Sequence, residues 1–151
     1  MKVVFLDISR AFDRVWHRGL VHKLFESGIS DSVLSWIENY LTDRRQRVCL
    51  NGEFSDWGNI SAGVPQGSIL GPLLFLIFIN DITDVIQHTD IRLYADDTCL
   101  FITVDERETS QQLIEADLAA ISDWAEKWLV SFSVPKTKSL LISNKHVSRC
   151  V

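Results

Sequence analysis

The tetrapeptide Tyr94-Ala95-Asp96-Asp97 lies between two short, mostly apolar runs, residues 91–93 and 99–102, and it constrains the fold more than any other segment. Such runs predict two strands, so the polar tetrapeptide is expected to form the turn of a β-hairpin. Two adjacent carboxylates held in a turn repel each other unless a cation offsets their charge, and Mg²⁺ is the usual candidate. Asp is also a common turn residue for structural reasons, so the pair alone does not establish a metal site.

A third carboxylate, Asp7, follows the nearly continuous apolar run of residues 2–6. A run of this kind predicts a buried central strand that delivers the acid at its carboxyl end. Sheet proteins commonly place active sites at that end of their strands. The additional acid therefore favours a functional site over a purely structural turn.

Between these acids, residues 62–72 form a segment rich in Gly and Pro that leads into the apolar run 73–79. Ser68 is predicted to cap the following helix, and Pro72 suits its first turn. The glycines let the backbone approach a ligand closely, and the Gln66 amide offers both a donor and an acceptor. A capped core helix with a flexible entry is the alternative interpretation.

Four segments resemble, in order, the palm motifs of reverse transcriptases. They are residues 5–13, 63–72, 94–97 and 124–138, and the resemblance covers essentially the whole chain. The wider similarity is to non-LTR (LINE-type) retrotransposons of the jockey-like kind. It implies an RNA-directed DNA polymerase that uses an RNA template, a DNA primer and deoxynucleoside triphosphates. It also implies nucleotidyl transfer in which two metal ions stabilise the attacking and leaving oxygens.

The resemblance implies which residues hold the metal. Asp7 and Asp96 are the expected bridging ligands of two Mg²⁺ ions, for which Mn²⁺ is a possible substitute. Asp97 would complete or support the site, and the backbone carbonyl of Ile8 would contribute a further oxygen. We expect the carboxyl groups of Asp7 and Asp96 to lie within the span of a two-metal centre, about 4 to 7 Å.

Lys136 matches the position at which polymerases are proposed to protonate the pyrophosphate leaving group. The alternative is an ordinary exposed lysine. The sequence departs from the family pattern nearby, because Ser133 stands where relatives often carry Asn and Pro135 immediately precedes the lysine. These departures leave the direction of the Lys136 side chain open.

The same resemblance implies the residues that contact substrate. Phe12 occupies the position of an aromatic ring under the incoming sugar, where it would exclude a ribose 2′-hydroxyl. Pro65, Gln66 and Gly67 would lie against the incoming nucleotide and the template base. Phe12 could instead be a core aromatic of an amphipathic helix, predicted over residues 12–27.

The net charge of −5 is unexpected for a nucleic-acid enzyme, since an acidic chain repels phosphate unless it carries a local basic surface. The densest basic segment contains Arg44, Arg45 and Arg47. It opens a predicted hairpin with an Asn51-Gly52 turn, although the strand after that turn looks delayed by residues 53–56. We predict nucleic-acid contact for these arginines, and a solvated hairpin edge is the alternative.

The chain has 151 residues and 46% hydrophobic content, which is enough for one compact core. Strands interleaved with helices predict an α+β palm, with a small antiparallel sheet covered on one face by helices and the acids on the other face. The predicted helices are residues 12–27, which Gly19 could interrupt, residues 30–42, a buried helix that follows Ser68 and continues to about residue 86, and residues 109–128. A final strand is predicted at residues 139–142.

Three cysteines, Cys49, Cys99 and Cys150, lie far apart and lack metal-ligand spacing. They predict reduced thiols and an intracellular protein, without distinguishing nucleus from cytoplasm. The apolar run of residues 73–79 is too short to span a bilayer, so no membrane contact is expected.

We expect residues 1–151 to be the palm fragment of a longer chain, because the start of the fingers and the thumb are missing. The isolated fragment is expected to be inactive, since it lacks basic triphosphate contacts and a primer grip. The alternative function is a non-catalytic retrotransposon remnant that retains the palm fold and binds nucleic acid or a partner.

Overall fold

A computed structural model describes residues 1–104 and 107–143, and the chain divides into two compact units. The first unit comprises Met1–Ser9, Ile82–Lys127 and the segment from Ser131, and the second comprises Arg10–Asp81 and Trp128–Val130. Cys150 lies outside the described residues.

The described chain contains eight strands, four α-helices and two 3-10 helices. The strands are β1 (Lys2–Asp7), β2 (Arg45–Gln46), β3 (Cys49–Leu50), β4 (Glu53–Phe54), β5 (Gly58–Asn59), β6 (Asp90–Tyr94), β7 (Asp97–Ile102) and β8 (Lys138–Leu141). The α-helices are α1 (His17–Glu26), α2 (Asp31–Leu41), α3 (Leu70–Ile79) and α4 (Arg107–Trp128), with 3-10 helices at Phe12–Arg14 and Asn80–Val85.

The first unit is built on a four-stranded antiparallel sheet with the strand order β6-β7-β1-β8. The predicted central strand β1 and the predicted hairpin β6–β7 are both confirmed. The hairpin turn consists of Ala95 and Asp96, and Ala95 has a left-handed backbone with φ of 52°. The predicted final strand is also confirmed as β8, one residue earlier than expected.

The two faces of this sheet differ in burial. Val4, Leu6 and Leu100 are buried on one face. Lys2 shares that face and donates a hydrogen bond to Gln111 of α4, so α4 covers it. The opposite face is more open, because Phe5 is 46% exposed. The apolar run of β1 predicted a buried strand. Burial of Val3, Val4 and Leu6 confirms this prediction, whereas Phe5 is exposed.

Helix α4 carries the predicted apolar stripe but begins earlier than predicted. Ile114, Ile121 and Trp124 are buried at helical spacing. Thr109 and Gln112 have capping-box spacing, which predicts that the helix begins at Thr109. The helix starts instead at Arg107, so Thr109 lies inside the first turn and this prediction is wrong. A capping residue must precede the first helical turn, where its side chain can reach the unpaired backbone N–H groups.

A buried carboxylate, Asp117, interrupts the stripe of α4, and sequence analysis did not identify it. Asp117 is 2% exposed and accepts hydrogen bonds from the backbone N–H groups of Gln87, His88 and Thr89 at 2.8 to 3.1 Å. The Thr89 hydroxyl donates a further bond at 2.8 Å. Burial by itself raises the pKa of Asp117, but these hydrogen bonds lower it below its ordinary value. The carboxylate thereby anchors the loop that leads into β6.

Asp117→Asn should lower the free energy of unfolding by about 2 kcal/mol, because an amide cannot accept all four bonds and leaves buried donors unpaired. Since the folded pKa of Asp117 is lowered, its stabilisation is present above the unfolded value of about 3.9 and is lost as the pH falls through the folded value. Urea unfolding at about pH 7 and about pH 3 should therefore show a difference between variant and parent that shrinks in acid. Asp123→Asn, an exposed acid on the same helix, serves as the control. Equal effects of the two substitutions at neutral pH would contradict the anchoring role.

In the second unit, the first helix differs from the prediction. A single 3-10 turn covers Phe12–Arg14, and α1 begins only at His17. The helix predicted over residues 12–27 is therefore confirmed over His17–Glu26, without a break at Gly19, but its predicted start at Phe12 is wrong. The reason is tertiary: backbone N–H groups of Gly63 and Val64 donate to the carbonyls of Val15 and Phe12 at 2.8 and 2.7 Å. Those carbonyls are then not available to a helical ladder.

The middle of the second unit follows the predictions more closely. Helix α2 is confirmed, and the Asn51-Gly52 turn joins β3 to β4 with φ values of 52° and 88°. The predicted delay of the second strand is wrong, because Glu53–Phe54 pairs directly after the turn. Residues 55–57 then interrupt the pairing. After them, β5 pairs with β2 to form a second short antiparallel sheet.

Helix α3 begins as predicted but ends early. The Ser68 hydroxyl accepts the Gly71 N–H at 2.9 Å, which confirms its capping role, and Pro72 lies in the first turn. The helix ends at Ile79 and the chain continues as a 3-10 helix, so a single helix to residue 86 is wrong. No helix among the described residues is both long and apolar enough to cross a membrane.

A buried cation, Lys23 of α1, lies in the core of the second unit. Lys23 is 6% exposed, and its ammonium donates to the Phe78 carbonyl at 2.6 Å and to the Asp81 carboxylate at 2.5 Å. The ammonium also lies 3.8 Å from the ring centroid of Trp128. Sequence analysis did not identify this lysine, which connects α1 to the end of α3.

Candidate active site

The predicted carboxylates are found at one end of the sheet of the first unit. Strand β1 ends at Asp7, β7 begins at Asp97, and these two residues are directly paired across the antiparallel ladder. Directly paired residues present their side chains on the same face, here the face of Phe5 that α4 does not cover. Asp96 precedes Asp97 in the hairpin turn.

One oxygen of Asp7 is buried without a hydrogen bond. Asp7 Oδ1 is enclosed, and although Lys136 Nζ lies 3.0 Å away, only the 3.1 Å contact with Oδ2 has hydrogen-bond geometry. A buried carboxylate oxygen without a donor is costly unless a cation compensates it. The Lys136 ammonium supplies this positive charge in the structure, which identifies Asp7 Oδ1 as an acceptor for cations.

A short turn directs Lys136 toward Asp7. The Ser133 N–H donates to the Asp7 carbonyl at 2.8 Å, and the Ser133 carbonyl accepts the Lys136 N–H at 3.1 Å. Thr137 closes the same turn through its N–H and its hydroxyl. This geometry pairs Lys136 with Asp7 even though Pro135 precedes it and Asn is replaced by Ser133. The lysine side chain stays 68% exposed.

The donor set suits a hard divalent ion, but the ligands are not gathered around one point. Within residues 1–104 and 107–143, no three Asp, Glu, His or Cys side chains are arranged as ligands of one metal ion. Carboxylates repel each other without a cation between them, and Lys136 compensates Asp7 in this structure. The all-oxygen donors of these carboxylates fit Mg²⁺. The separation predicted for the Asp7 and Asp96 carboxyl groups stays a prediction.

The backbone near Ile8 leaves its carbonyl outside the local pairing. Ile8 forms an isolated bridge with Phe132. The two backbone bonds that flank this bridge use the Asp7 carbonyl and the Ser9 N–H. The predicted role of the Ile8 carbonyl as a metal ligand stays a prediction.

In the second unit, the predicted substrate loop is tied to the segment that contains Phe12. Gly63 has φ of +93°, and a Cβ there would lie 2.7 to 2.8 Å from backbone atoms of Phe12 and Asp13, so only glycine fits. The His17 ring Nε2 donates to the Gly63 carbonyl at 2.7 Å. These contacts hold the start of the loop against the 3-10 turn.

Gln66 is held at the exposed tip of this loop. Its amide donates to Asp13 Oδ1 at 2.8 Å, a partner that the sequence did not indicate. The Pro65 carbonyl accepts the Ser68 hydroxyl at 2.7 Å, and Gly67 has φ of +77° with open space around it. The loop therefore presents an oriented amide beside an unobstructed backbone.

Phe12 packs on one face and is half-buried. Its ring stacks on Phe75 of α3, with ring centroids 4.8 Å apart and an interplanar angle of 28°. This packing supports the ring, and it agrees with a core role as well as with a sugar-contacting role.

A cleft of about 680 Å³ in the second unit brings Arg44 together with Gln66. Asp13 and the side chains of Gln46 and Asn59 also line it. Arg45 and Arg47 do not line this cleft, and instead they lie over the rings of Trp57 and Phe54. The predicted arginine cluster is therefore divided between two environments.

Comparison with known proteins identifies the fold and the family. The chain is similar to apo telomerase from Candida Tropicalis truncated from its C-terminal domain, with a TM-score of 0.66 over 92% of this chain and 30% of that one, at 13% identity. The fold is that of a polymerase palm, with a small antiparallel sheet covered by helix on one face.

Residues 2–148 match the family described as reverse transcriptase (RNA-dependent DNA polymerase), and the chain belongs to this family. It is 34% identical over 148 residues to the RNA-directed DNA polymerase from mobile element jockey of Drosophila melanogaster. It is 32% identical over 150 residues to the probable RNA-directed DNA polymerase from transposon X-element of the same species. The matches cover 93% and 94% of this chain but 16% of each relative.

Proposed function

We propose that this chain is the palm of an RNA-directed DNA polymerase, which copies an RNA template by adding deoxynucleotides to a DNA primer. The observation that carries the proposal is the direct pairing of Asp7 with Asp97 beside the Asp96 turn. The family membership and the names of the jockey and X-element relatives support it.

In this proposal, Asp7, Asp96 and Asp97 hold two Mg²⁺ ions together with the Ile8 carbonyl, and Mn²⁺ is a possible substitute. When bound, such ions stabilise the attacking 3′-oxygen and the leaving pyrophosphate oxygen. The buried Asp7 Oδ1, which has no hydrogen bond and lies 3.0 Å from Lys136 Nζ, supports this assignment. Lys136 carries a proton close to Asp7, and we propose that it delivers that proton to the leaving pyrophosphate.

We further propose that Pro65, Gln66 and Gly67 contact the incoming nucleotide and the template base. The amide orientation imposed by Asp13 supports the role of Gln66, because an oriented donor loses less entropy on binding. Arg44, Arg45 and Arg47 are proposed to contact the phosphates of the template or primer. Each of the three arginines carries a positive charge, whereas the net charge of the whole chain is −5.

The chain spans about 16% of the length of these relatives. We propose that fingers and thumb segments of a longer polymerase supply the remaining basic contacts, and that the isolated 151-residue chain does not extend primers. Positioning and electrostatics dominate this chemistry, and a palm of net charge −5 provides little of either alone. An intracellular location is also proposed, in keeping with the free thiols of Cys49 and Cys99.

The test is primer extension on an RNA template by the longer polymerase that contains these residues. We expect extension with deoxynucleotides and Mg²⁺, and none after chelation of the metal. Asp96→Asn should abolish extension, whereas Asp90→Asn, an exposed acid at the other end of the same hairpin, should retain it. Full extension by the Asp96 variant, or none by the parent enzyme, would exclude the proposed function and favour a non-catalytic remnant.

In the same polymerase, Phe12→Val should increase the incorporation of ribonucleotides relative to deoxynucleotides by about tenfold or more, as expected when a clash of about 1.4 kcal/mol is removed. The ring rests on Phe75, and the smaller side chain leaves room for a 2′-hydroxyl. Single-nucleotide incorporation with each sugar measures the ratio. Phe75→Leu removes the stacking partner and controls for general loosening. Unchanged sugar selectivity in Phe12→Val would return Phe12 to the core-packing interpretation.

A further inference from the structure

Four exposed side chains of the hairpin between residues 45 and 57 form an alternating stack of cations and aromatic rings. The Arg47 guanidinium lies 3.9 Å from the ring centroid of Phe54 and 4.6 Å from that of Trp57. The Arg45 guanidinium lies 5.9 Å from the Trp57 ring. We call these four side chains, stacked in the order Phe54, Arg47, Trp57 and Arg45, the arginine-aromatic ladder.

The ladder is exposed and is not part of a core. Phe54 and Trp57 are 56% and 57% exposed, and both arginines are exposed as well. Within the part of the chain that the structure describes, neither arginine is within ion-pair distance of a carboxylate. Glu53 and Asp56 are the acids of this hairpin, against three arginines between residues 44 and 60. Exposed rings and uncompensated cations favour an anionic partner with flat apolar surfaces.

The geometry of the ladder suits nucleic acid. A guanidinium stacked on a ring keeps the N–H groups of its edge available, and these groups bind phosphate oxygens in a bidentate manner. Stacking also orients the guanidinium, so less side-chain entropy is lost when phosphate binds. The exposed rings offer surfaces on which bases can stack.

Single strands fit this surface better than duplexes. Bases of a single strand are free to leave their stack and lie on aromatic rings or on guanidinium planes. Bases inside a duplex are already stacked and paired, so a duplex would use only the phosphate contacts.

We propose that the arginine-aromatic ladder is a binding site for single-stranded RNA. In this site, Arg45 and Arg47 contact phosphates, and Trp57 and Phe54 stack on bases. The inference rests on the proposed function in one respect. In a reverse transcriptase, the single strand that this site fits is the part of the RNA template that has not yet been copied. The proposal gives Phe54 and Trp57 a role in RNA binding. It predicts that this binding requires neither a metal ion nor the carboxylates of the first unit.

The test is fluorescence anisotropy of the 151-residue chain with a labelled oligouridylate of about 12 nucleotides, within the range of strand lengths that such surfaces cover. The buffer contains a metal chelator and no nucleotide. We expect the parent chain to bind this oligonucleotide at least about tenfold more tightly than a duplex of the same length, because only the single strand offers free base faces. Trp57→Ala should weaken binding about tenfold, consistent with the loss of one stacked base.

Two further variants make the result specific. Trp36→Ala is the matched control, because Trp36 is 56% exposed and stacks on Tyr40 outside the ladder, and it should leave binding unchanged. Arg47→Lys retains the charge but loses the planar edge, and it should weaken binding several-fold. Melting curves of all variants establish that each chain remains folded.

The outcome is separable from the proposed catalytic function. Asp96→Asn should bind the oligonucleotide as tightly as the parent chain does, even if it abolishes primer extension. Equal binding by Trp57→Ala and by the parent chain would overturn the ladder while leaving the polymerase proposal untouched. Equal affinity of the parent chain for single strand and duplex would overturn it too. A further outcome is that the parent chain forms a dimer, and that Trp57→Ala is monomeric but binds RNA as tightly as the parent. This result would assign the ladder to self-association and overturn the proposal.

Discussion

A polymerase in which Asp7 is replaced by asparagine will add nucleotides at least about a thousandfold more slowly than the parent enzyme, equivalent to the several kcal/mol that metal-centred charge stabilisation supplies. Asparagine preserves the shape of the side chain but removes its negative charge. Asp7 is the residue directly opposite Asp97 in the antiparallel sheet. The substitution also replaces one of the two carboxylate oxygens with an amide nitrogen, which does not ligate Mg²⁺. The loss should appear as a slower chemical step.

Rapid-quench measurement of a single nucleotide addition, at saturating substrate, tests this expectation. Asp90→Asn at the far end of the hairpin is the matched control and should stay within about twofold of the parent, as expected for an exposed group away from the reaction. The Asp7 variant should remain folded, because its ion pair with the largely exposed Lys136 contributes no more than about 1 kcal/mol. A folded Asp7→Asn enzyme with near-parental rate would remove Asp7 from the metal site.

Lys23→Met should lower the free energy of unfolding by about 2 to 4 kcal/mol, somewhat less than the loss on breaking a fully buried ion pair. The ammonium of Lys23 donates to both the Phe78 carbonyl and the Asp81 carboxylate, and methionine cannot replace either bond. The contact with the Trp128 ring is lost as a cation–π interaction. The Asp81 side chain is 34% exposed, so water can hydrate its carboxylate and offset part of the stability lost with the ion pair.

Urea unfolding of the 151-residue chain measures this effect. Arg18→Met removes an exposed cation from the same helix and should change stability by less than about 0.5 kcal/mol. The double variant Lys23→Met with Asp81→Leu should recover part of the loss, because it no longer leaves a carboxylate without this partner. A stability of Lys23→Met within about 0.5 kcal/mol of the parent would show that the buried lysine is dispensable.

Elements with a strong local pattern were predictable from the sequence. The apolar run of β1, the polar turn of the β6–β7 hairpin and the Asn51-Gly52 turn each follow from contacts between near neighbours. The start predicted for the first helix, at residue 12, is wrong because Gly63 and Val64, which lie about 50 residues away, bind the carbonyls of that segment. Local periodicity carries no information about such a competitor.

Buried charges were the main omission. On an amphipathic helix, Lys23 and Asp117 look like ordinary solvent-facing residues, since charged side chains are rarely buried unless paired. Lys23 binds Asp81 at a separation of 58 residues, and Asp117 binds backbone 28 to 30 residues away. Only the folded chain brings these partners together.

The sequence by itself determined the identity of the acids, their position at a strand end and in a hairpin turn, and the motif order of the reverse transcriptase family. Tertiary structure decided which groups face each other: Asp97 opposite Asp7, Lys136 on Asp7 across 129 residues, and Arg47 between Phe54 and Trp57. Local side-chain chemistry specifies strands and turns, whereas strand register and ion pairing depend on long-range packing that no short segment of sequence contains.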